Sequence, residues 1–324
     1  MSFELILPFL RPIEPLLLDD TVSEIMGNPD GSWWSEREGV LQREGSITMR
    51  SDSLLTGLEV IANQLGKHLD EDSPVLHAQL PDGSRIAAVI PPVSKPAPAV
   101  TIRKFTSRHF TLDDLITRGM LTHPLADFIS MQIRAGKTLL ISGGTSTGKT
   151  TLLRILAAAI PDEQRIVVIE DTAELHIQKP NILGVESQTD TFKSAVSFDD
   201  LLKSALRWRP DRIILGEVRG SEARTLLDSL NTGHAGSLAT IHANSAEKAL
   251  HRFANLVMRS HAQTTFVDTE AEIGDAVDFV IHIDRESGRR VIREVLAIHG
   301  FDRDTKQFLS HHISETDLPS SSAA

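Results

Sequence analysis

Ile141-Ser142-Gly143-Gly144-Thr145-Ser146-Thr147-Gly148-Lys149-Thr150-Thr151 is the stretch whose reading decides the fold. Gly143, Gly148, Lys149 and Thr150 satisfy the pattern Gly-x4-Gly-Lys-Ser/Thr, a phosphate-binding loop. Its glycines let backbone N–H groups close around phosphate oxygens, its lysine neutralises them, and its hydroxyl holds magnesium. Nucleotide contacts are therefore expected from Gly143, Gly144, Thr145, Ser146, Thr147, Gly148, Lys149, Thr150 and Thr151. The flanks agree: Thr138 to Ser142 is a short apolar run of strand type, and Thr151 to Ile160 has helical period. A glycine-rich turn that merely caps a helix does not require that setting.

Downstream of Pro124, apolar strands and amphipathic helices alternate, which implies an α/β domain with a parallel sheet covered on both faces. Strands are expected at 138–142, 165–170, 212–216 and 237–242, and helices at about 124–135, 149–159, 199–207, 221–231 and 246–260. A final antiparallel pair is expected at 279–284 and 290–298. Upstream, residues 16–105 read as a smaller α+β unit. It has an early amphipathic helix continued through Thr21 to Met26, and a hairpin built from Trp33-Trp34 and Gly39-Val40-Leu41. A helix follows from Leu54 to Leu69, capped by Ser51 or Asp52. A second hairpin turns on Pro-Asp-Gly-Ser at 81–84, and a strand runs from Val100 to Phe105. The expected division is an N-terminal domain at 1–106, a linker at 107–123 with a short helix at 112–117, a P-loop domain at 124–310, and an unstructured tail at 311–324.

Composition narrows the function. With 324 residues, 40% hydrophobic and 24% charged, the chain is long enough for two soluble domains. It has no cysteine, which removes disulfides, thiolate metal sites and cysteine nucleophiles, and fits a reducing cytoplasm. The first twenty residues are broken by Pro8, Pro12 and Pro15, lack a basic leader, and fall short of the roughly eighteen apolar residues of a membrane span. Membrane association is thus expected to be peripheral. A net charge of −11 argues against strong direct nucleic-acid binding, where phosphate neutralisation dominates affinity.

Three further stretches follow the loop. The second strand ends in Glu170-Asp171, and carboxyl ends of strands in an open α/β sheet line the ligand crevice. The third, Arg212-Ile213-Ile214-Leu215-Gly216-Glu217, is apolar and again finishes in an acid. Glu217 is the first choice for the base that polarises the attacking water, and it meets magnesium through water beside Thr150. His234 and His242 bracket the fourth strand. Metal ligation is a poor reading for them; a neutral imidazole that senses the γ-phosphate is better, and His242 ends its strand on the edge shared with Glu217.

The order GGTSTGKTT, VVIEDTAEL, RPDRIILGEVRG, NTGHAGSLATIHANS resembles the hexameric ATPases of the type II/type IV secretion superfamily, nearest the conjugal-transfer TrbB-type and related pilus-assembly branch. The likeness spans roughly residues 20–300, and it implies a RecA-like P-loop NTPase domain behind a smaller N-terminal domain. It further implies a homohexamer that binds ATP and Mg2+ between the two domains of each subunit, docked from the cytoplasm on inner-membrane secretion proteins. Carried over, Glu170 and Glu174 serve the aspartate box, Glu217 the Walker B position, and His234 and His242 the histidine box. Arg85 and Arg103 match N-terminal arginines that reach the nucleotide phosphates, with Arg219 a weaker candidate. The Walker B stretch departs from the pattern in having no aspartate before its glutamate. Two rivals stand beside this motor: a nucleic-acid translocase on a related core, and an ATP-gated scaffold.

Overall fold

The computed structural model describes residues 7–37, 39–105, 110–187, 196–260, 264–286 and 288–318. The chain divides into two units, Met1–His109 and Phe110–Ala324. In the first, two 3-10 turns lead into α1 (Glu14–Leu18), then β1 (Val22–Gly27), β2 (Trp33–Arg37), β3 (Val40–Arg43), α2 (Ser51–Gln64), β4 (Val75–Gln79), β5 (Arg85–Val89) and β6 (Ala99–Arg103). The strands form one sheet in the order β3-β2-β1-β6-β5-β4.

Here the expected helix through Thr21 to Met26 is corrected to a strand. Val22 and Ile25 face the core, and β1 pairs antiparallel with both β2 and β6, so distant partners override a local helical reading. Its last residue, Gly27, sits opposite Trp33, whose indole lies where a Cβ would come within 2.7 Å. Trp33 is thereby buried in the core with Leu58, Ile61 and Ile102. The expected cap of α2 is also corrected: Arg50 occupies the N-cap position, and no side chain caps it.

The second unit opens with α3 (Leu112–Thr117), whose Thr111 and Asp114 form a reciprocal capping box. Leu115, Met120 and Leu121 then enter the unit's core, so the described part of the expected linker is packed into the larger unit. The elements continue as α4 (His123–Arg134), β7 (Leu139–Gly143), α5 (Lys149–Ala157), β8 (Ile166–Glu170), β9 (Ile182–Glu186), α6 (Phe198–Ala205), β10 (Arg212–Val218), α7 (Glu222–Asn231), β11 (Leu238–His242), α8 (Ala246–Ser260), α9 (Phe266–Ala276), β12 (Phe279–Glu286), β13 (Arg289–Asp302) and β14 (Gln307–His312). The sheet order is β14-β13-β12-β7-β11-β10-β8-β9. Strands β7, β8, β10 and β11 are apolar runs buried on both faces, as a covered parallel sheet demands.

Alternation along a single strand sorts the two cores. Val167 and Ile169 pack with α6, α7, α8 and α9 on one face, while Ile166 and Val168 pack with α3, α4 and α5 on the other. Three elements go beyond the sequence reading: β9, α9 and β14. The tail expected to be unstructured from His311 is corrected in part: β14 runs to His312, a 3-10 turn follows at Glu315–Asp317, and Ile313 and Leu318 rest against the core.

Candidate active site

Strand β7 delivers the phosphate loop to the middle of the sheet. Its last residue, Gly143, is in register with His242 of β11 on one side and Ile283 of β12 on the other. A Cβ at Gly143 would lie 2.6 Å from the Ile283 carbonyl and 2.7 Å from Thr147 Oγ1, so only glycine fits this row. Gly148 takes φ of 96° at the N-cap of α5 and lets the chain turn directly into the helix. The first helical residues are Lys149 and Thr150, so the positive end of the helix dipole faces the loop.

Lys149 is 7% exposed, and its ammonium donates to Gly143 O at 3.1 Å and Gly144 O at 2.7 Å. It also lies 3.5 Å from His242 Nδ1. The other ring nitrogen, Nε2, is 3.5 Å from Glu217 Oε1. Loop lysine, strand-end histidine and strand-end glutamate thus stand in one line. Burial holds the His242 pKa below the ordinary histidine value; the Lys149 charge adds to this and Glu217 opposes it. The ring is therefore neutral at physiological pH, and the tautomer that suits both neighbours carries its proton on Nε2, toward Glu217.

Glu170 lies beside this line: a Cβ on Gly216 would come within 3.3 Å of its Cγ. It is 7% exposed, and its Oε1 accepts from the backbone N–H groups of Glu174 and Leu175 at 2.9 and 3.0 Å. Burial pushes its pKa up to about 7 against those two hydrogen bonds, with the Glu174 charge raising it further. A carboxyl with a raised folded-state pKa stabilises most below its unfolded value of 4.5, and that contribution is lost as pH rises toward 7. Glu170→Gln keeps an acceptor for both N–H groups. It should remove up to about 3 kcal/mol of stability change between pH 4.5 and 7. Urea unfolding of parent and variant across that range tests this, and parallel pH profiles would refute it.

Asp171 and Arg219 form an ion pair with each other, and Ser187 Oγ donates to Asp171 Oδ1 at 2.7 Å. The turn after β10 is held by Glu222, a buried acid that sequence reasoning missed. Its Oε1 accepts from Arg219 N at 2.6 Å and Gly220 N at 2.8 Å. The Gly220-Ser221-Glu222 opening of a helix was the available signal.

His234 is not brought to the loop. It precedes the first residue of β11, whereas the loop meets the last, and a five-residue strand spans roughly 13 Å. Its Nδ1 is buried with no hydrogen-bond partner among the described residues. That end of the strand is structural: Gly236 N donates to Thr138 Oγ1 at 2.9 Å, and a Cβ at Gly236 would overlap the Arg212 guanidinium at 1.3 Å. In the first unit, Arg85 and Arg103 face each other across β5 and β6, and Arg103 Nε is 3.8 Å from Glu24 Oε1.

A family model described as "Type II/IV secretion system protein" matches residues 10–307. The chain is 40% identical over 291 residues to the conjugal transfer protein TrbB of Rhizobium radiobacter, covering 88% of this chain and 86% of that protein. It is 33% identical over 333 residues to the type IV secretion system protein VirB11 of Bartonella henselae, covering 90% and 92% respectively. The chain belongs to the type II/IV secretion system family. Among solved structures it is similar to the Legionella pneumophila ATPase DotB, with a TM-score of 0.63 at 21% identity over 94% of this chain and 84% of that one. It is also similar to the pilus retraction motor PilT with bound ADP, with a TM-score of 0.59 at 18% identity over 88% and 80%. These two likenesses establish the fold: a RecA-like P-loop domain with a smaller α+β domain before it. Among the described residues, no helix is long and apolar enough to cross a membrane.

Proposed function

We propose that this chain is an ATP-hydrolysing motor for a type IV secretion, conjugal-transfer or pilus-assembly machine, working as a homohexamer on the cytoplasmic side of a bacterial inner membrane. The line Lys149–His242–Glu217 carries the chemistry. Lys149 and the loop amides bind the β- and γ-phosphates. Glu217 orients the attacking water, and neutral His242 hydrogen-bonds near the γ-phosphate, so its contact with Glu217 changes when that phosphate leaves. The relatives named for conjugal transfer and type IV secretion support the machine assignment.

Magnesium fits the donor set. Mg2+ takes one or two protein oxygens, keeps several waters and leans on substrate phosphates. Thr150 and, through water, Glu217 supply that much. When bound it neutralises charge on the transferring phosphoryl group. Glu170 and Glu174 form a second acidic pair beside the water site. Arg85 and Arg103 are cross-strand partners on β5 and β6, a register that can present two cations to one phosphate, so they are proposed to compensate transition-state charge. His234 stands apart from this set.

Phosphate release by the full chain, with and without DNA, tests the reading. Magnesium-dependent turnover that DNA leaves unchanged is expected. DNA stimulation that falls steeply with salt would point to a translocase, and ATP binding without release would point to a gated scaffold.

A further inference from the structure

Two arginines hold the phosphate loop from its outer side. Arg285 on β12 and Arg290 on β13 are direct cross-strand partners, an arrangement in which like charges repel unless a shared acceptor draws them together. The shared acceptor is a single backbone oxygen. Arg285 Nη2 donates to Ser146 O at 2.9 Å, and Arg290 Nε reaches the same oxygen at 3.4 Å. The stem of Arg290 also lies on the loop: a Cβ at Gly148 would come within 3.3 Å of its Cδ. On the same hairpin Arg293 pairs with Glu286, which ties its two strands together.

Ser146 is where the loop most needs such support. Its φ of 57° is left-handed, a conformation that a residue with a Cβ keeps only where its surroundings impose it. A trans peptide places the Thr147 N–H opposite the Ser146 C=O. With that oxygen drawn outward to the guanidiniums, the Thr147 N–H is turned the other way, to the side on which the loop closes around phosphate. The other flank is fixed independently, by Thr147 Oγ1 donating to Gly144 O at 3.0 Å and by Lys149 on the same carbonyl.

We propose that Arg285 and Arg290 are positioning residues for the phosphate loop, clamping the Ser146 carbonyl so that the Thr147 N–H is aimed at a nucleotide phosphate before any nucleotide arrives. The inference rests on the nucleotide reading of the loop and deepens it. A donor fixed in advance needs no reorganisation on binding. Two charged donors on the carbonyl also polarise the peptide and strengthen its N–H as a donor. The arginines act through the backbone, so their effect is on affinity for the phosphates of ADP and ATP alike.

The test uses the full chain with Arg285→Ala, Arg290→Ala, the double variant and Arg285→Lys. ADP affinity, kcat and KM for ATP, and amide exchange across residues 144–149 in the nucleotide-free protein are measured. The double variant should bind ADP about tenfold more weakly and raise KM to match, with kcat within about twofold of the parent. Exchange at 144–149 should quicken while that of helix 151–157 stays unchanged. Arg285→Lys should recover most of the affinity, because an ammonium still donates to a carbonyl. Weaker binding with unchanged exchange would mean that the arginines touch the nucleotide itself, and would overturn the proposal. So would unchanged affinity in the double variant. If the parent chain bound no nucleotide, the functional reading would fail, yet the exchange measurement would still report whether the clamp orders the loop.

Discussion

Lys149→Ala is expected to lower ATP turnover by about a thousandfold, the scale on which a preorganised charge-stabilising donor acts in a water-poor site. The ammonium is almost wholly buried and rests on two loop carbonyls, the position proposed to meet phosphate oxygens. Its loss acts twice. It removes the charge from the phosphates, and it removes one of the three causes that hold the His242 pKa down, leaving burial and the Arg252 charge. The variant should therefore show a His242 titration shifted upward when followed by NMR of the imidazole, a change that simple loss of affinity does not produce. Turnover within tenfold of the parent would exclude Lys149 from the role.

Glu217→Gln should have the second largest effect: ATP still binds, and hydrolysis falls by about a hundredfold to ten-thousandfold, the range for loss of a general base. The amide keeps the size of the side chain but cannot take a proton from water. Its neighbour on β8, Glu170, is the competitor, because a carboxyl pushed up to about 7 is well matched to accept a proton at neutral pH. Geometry favours Glu217. Glu170 is sunk beneath the sheet edge with an oxygen committed to two backbone N–H groups, whereas Glu217 contacts the histidine that contacts the loop lysine. Single-turnover hydrolysis with prebound ATP makes the distinction. Full hydrolysis by the Glu217 variant, with loss in Glu170→Gln, would exchange their roles.

The parallel core was legible in the sequence because its buried strands are dominated by apolar residues, as in Ile166-Val167-Val168-Ile169 of β8, and glycine and lysine at fixed spacing leave the loop few alternatives. The first unit was harder to read. Strand β1 carries two adjacent polar residues and finds its partners at Trp33 and Ile102, contacts that no local pattern announces. Helix α9 was missed because buried Thr269 and Glu270 break its apolar stripe; Glu270 is held by His251 Nδ1 at 2.6 Å. In the site, Lys149, Glu217 and His242 came from strand ends and spacing. The arginine pair on β12 and β13 was invisible, because which residues face each other across a hairpin depends on register, and this one is shifted by an irregularity after His282.

The row at Gly143 has one more consequence. Strand β7 has three strands beyond it on one side and four on the other. A sheet opens from its rims, where fewest neighbours resist, so β14 and β9 form the weak margins and the loop sits in the last part to come undone. Molecules that have shed an outer strand should still hold nucleotide. That ordering would let the periphery yield while the grip on nucleotide is kept.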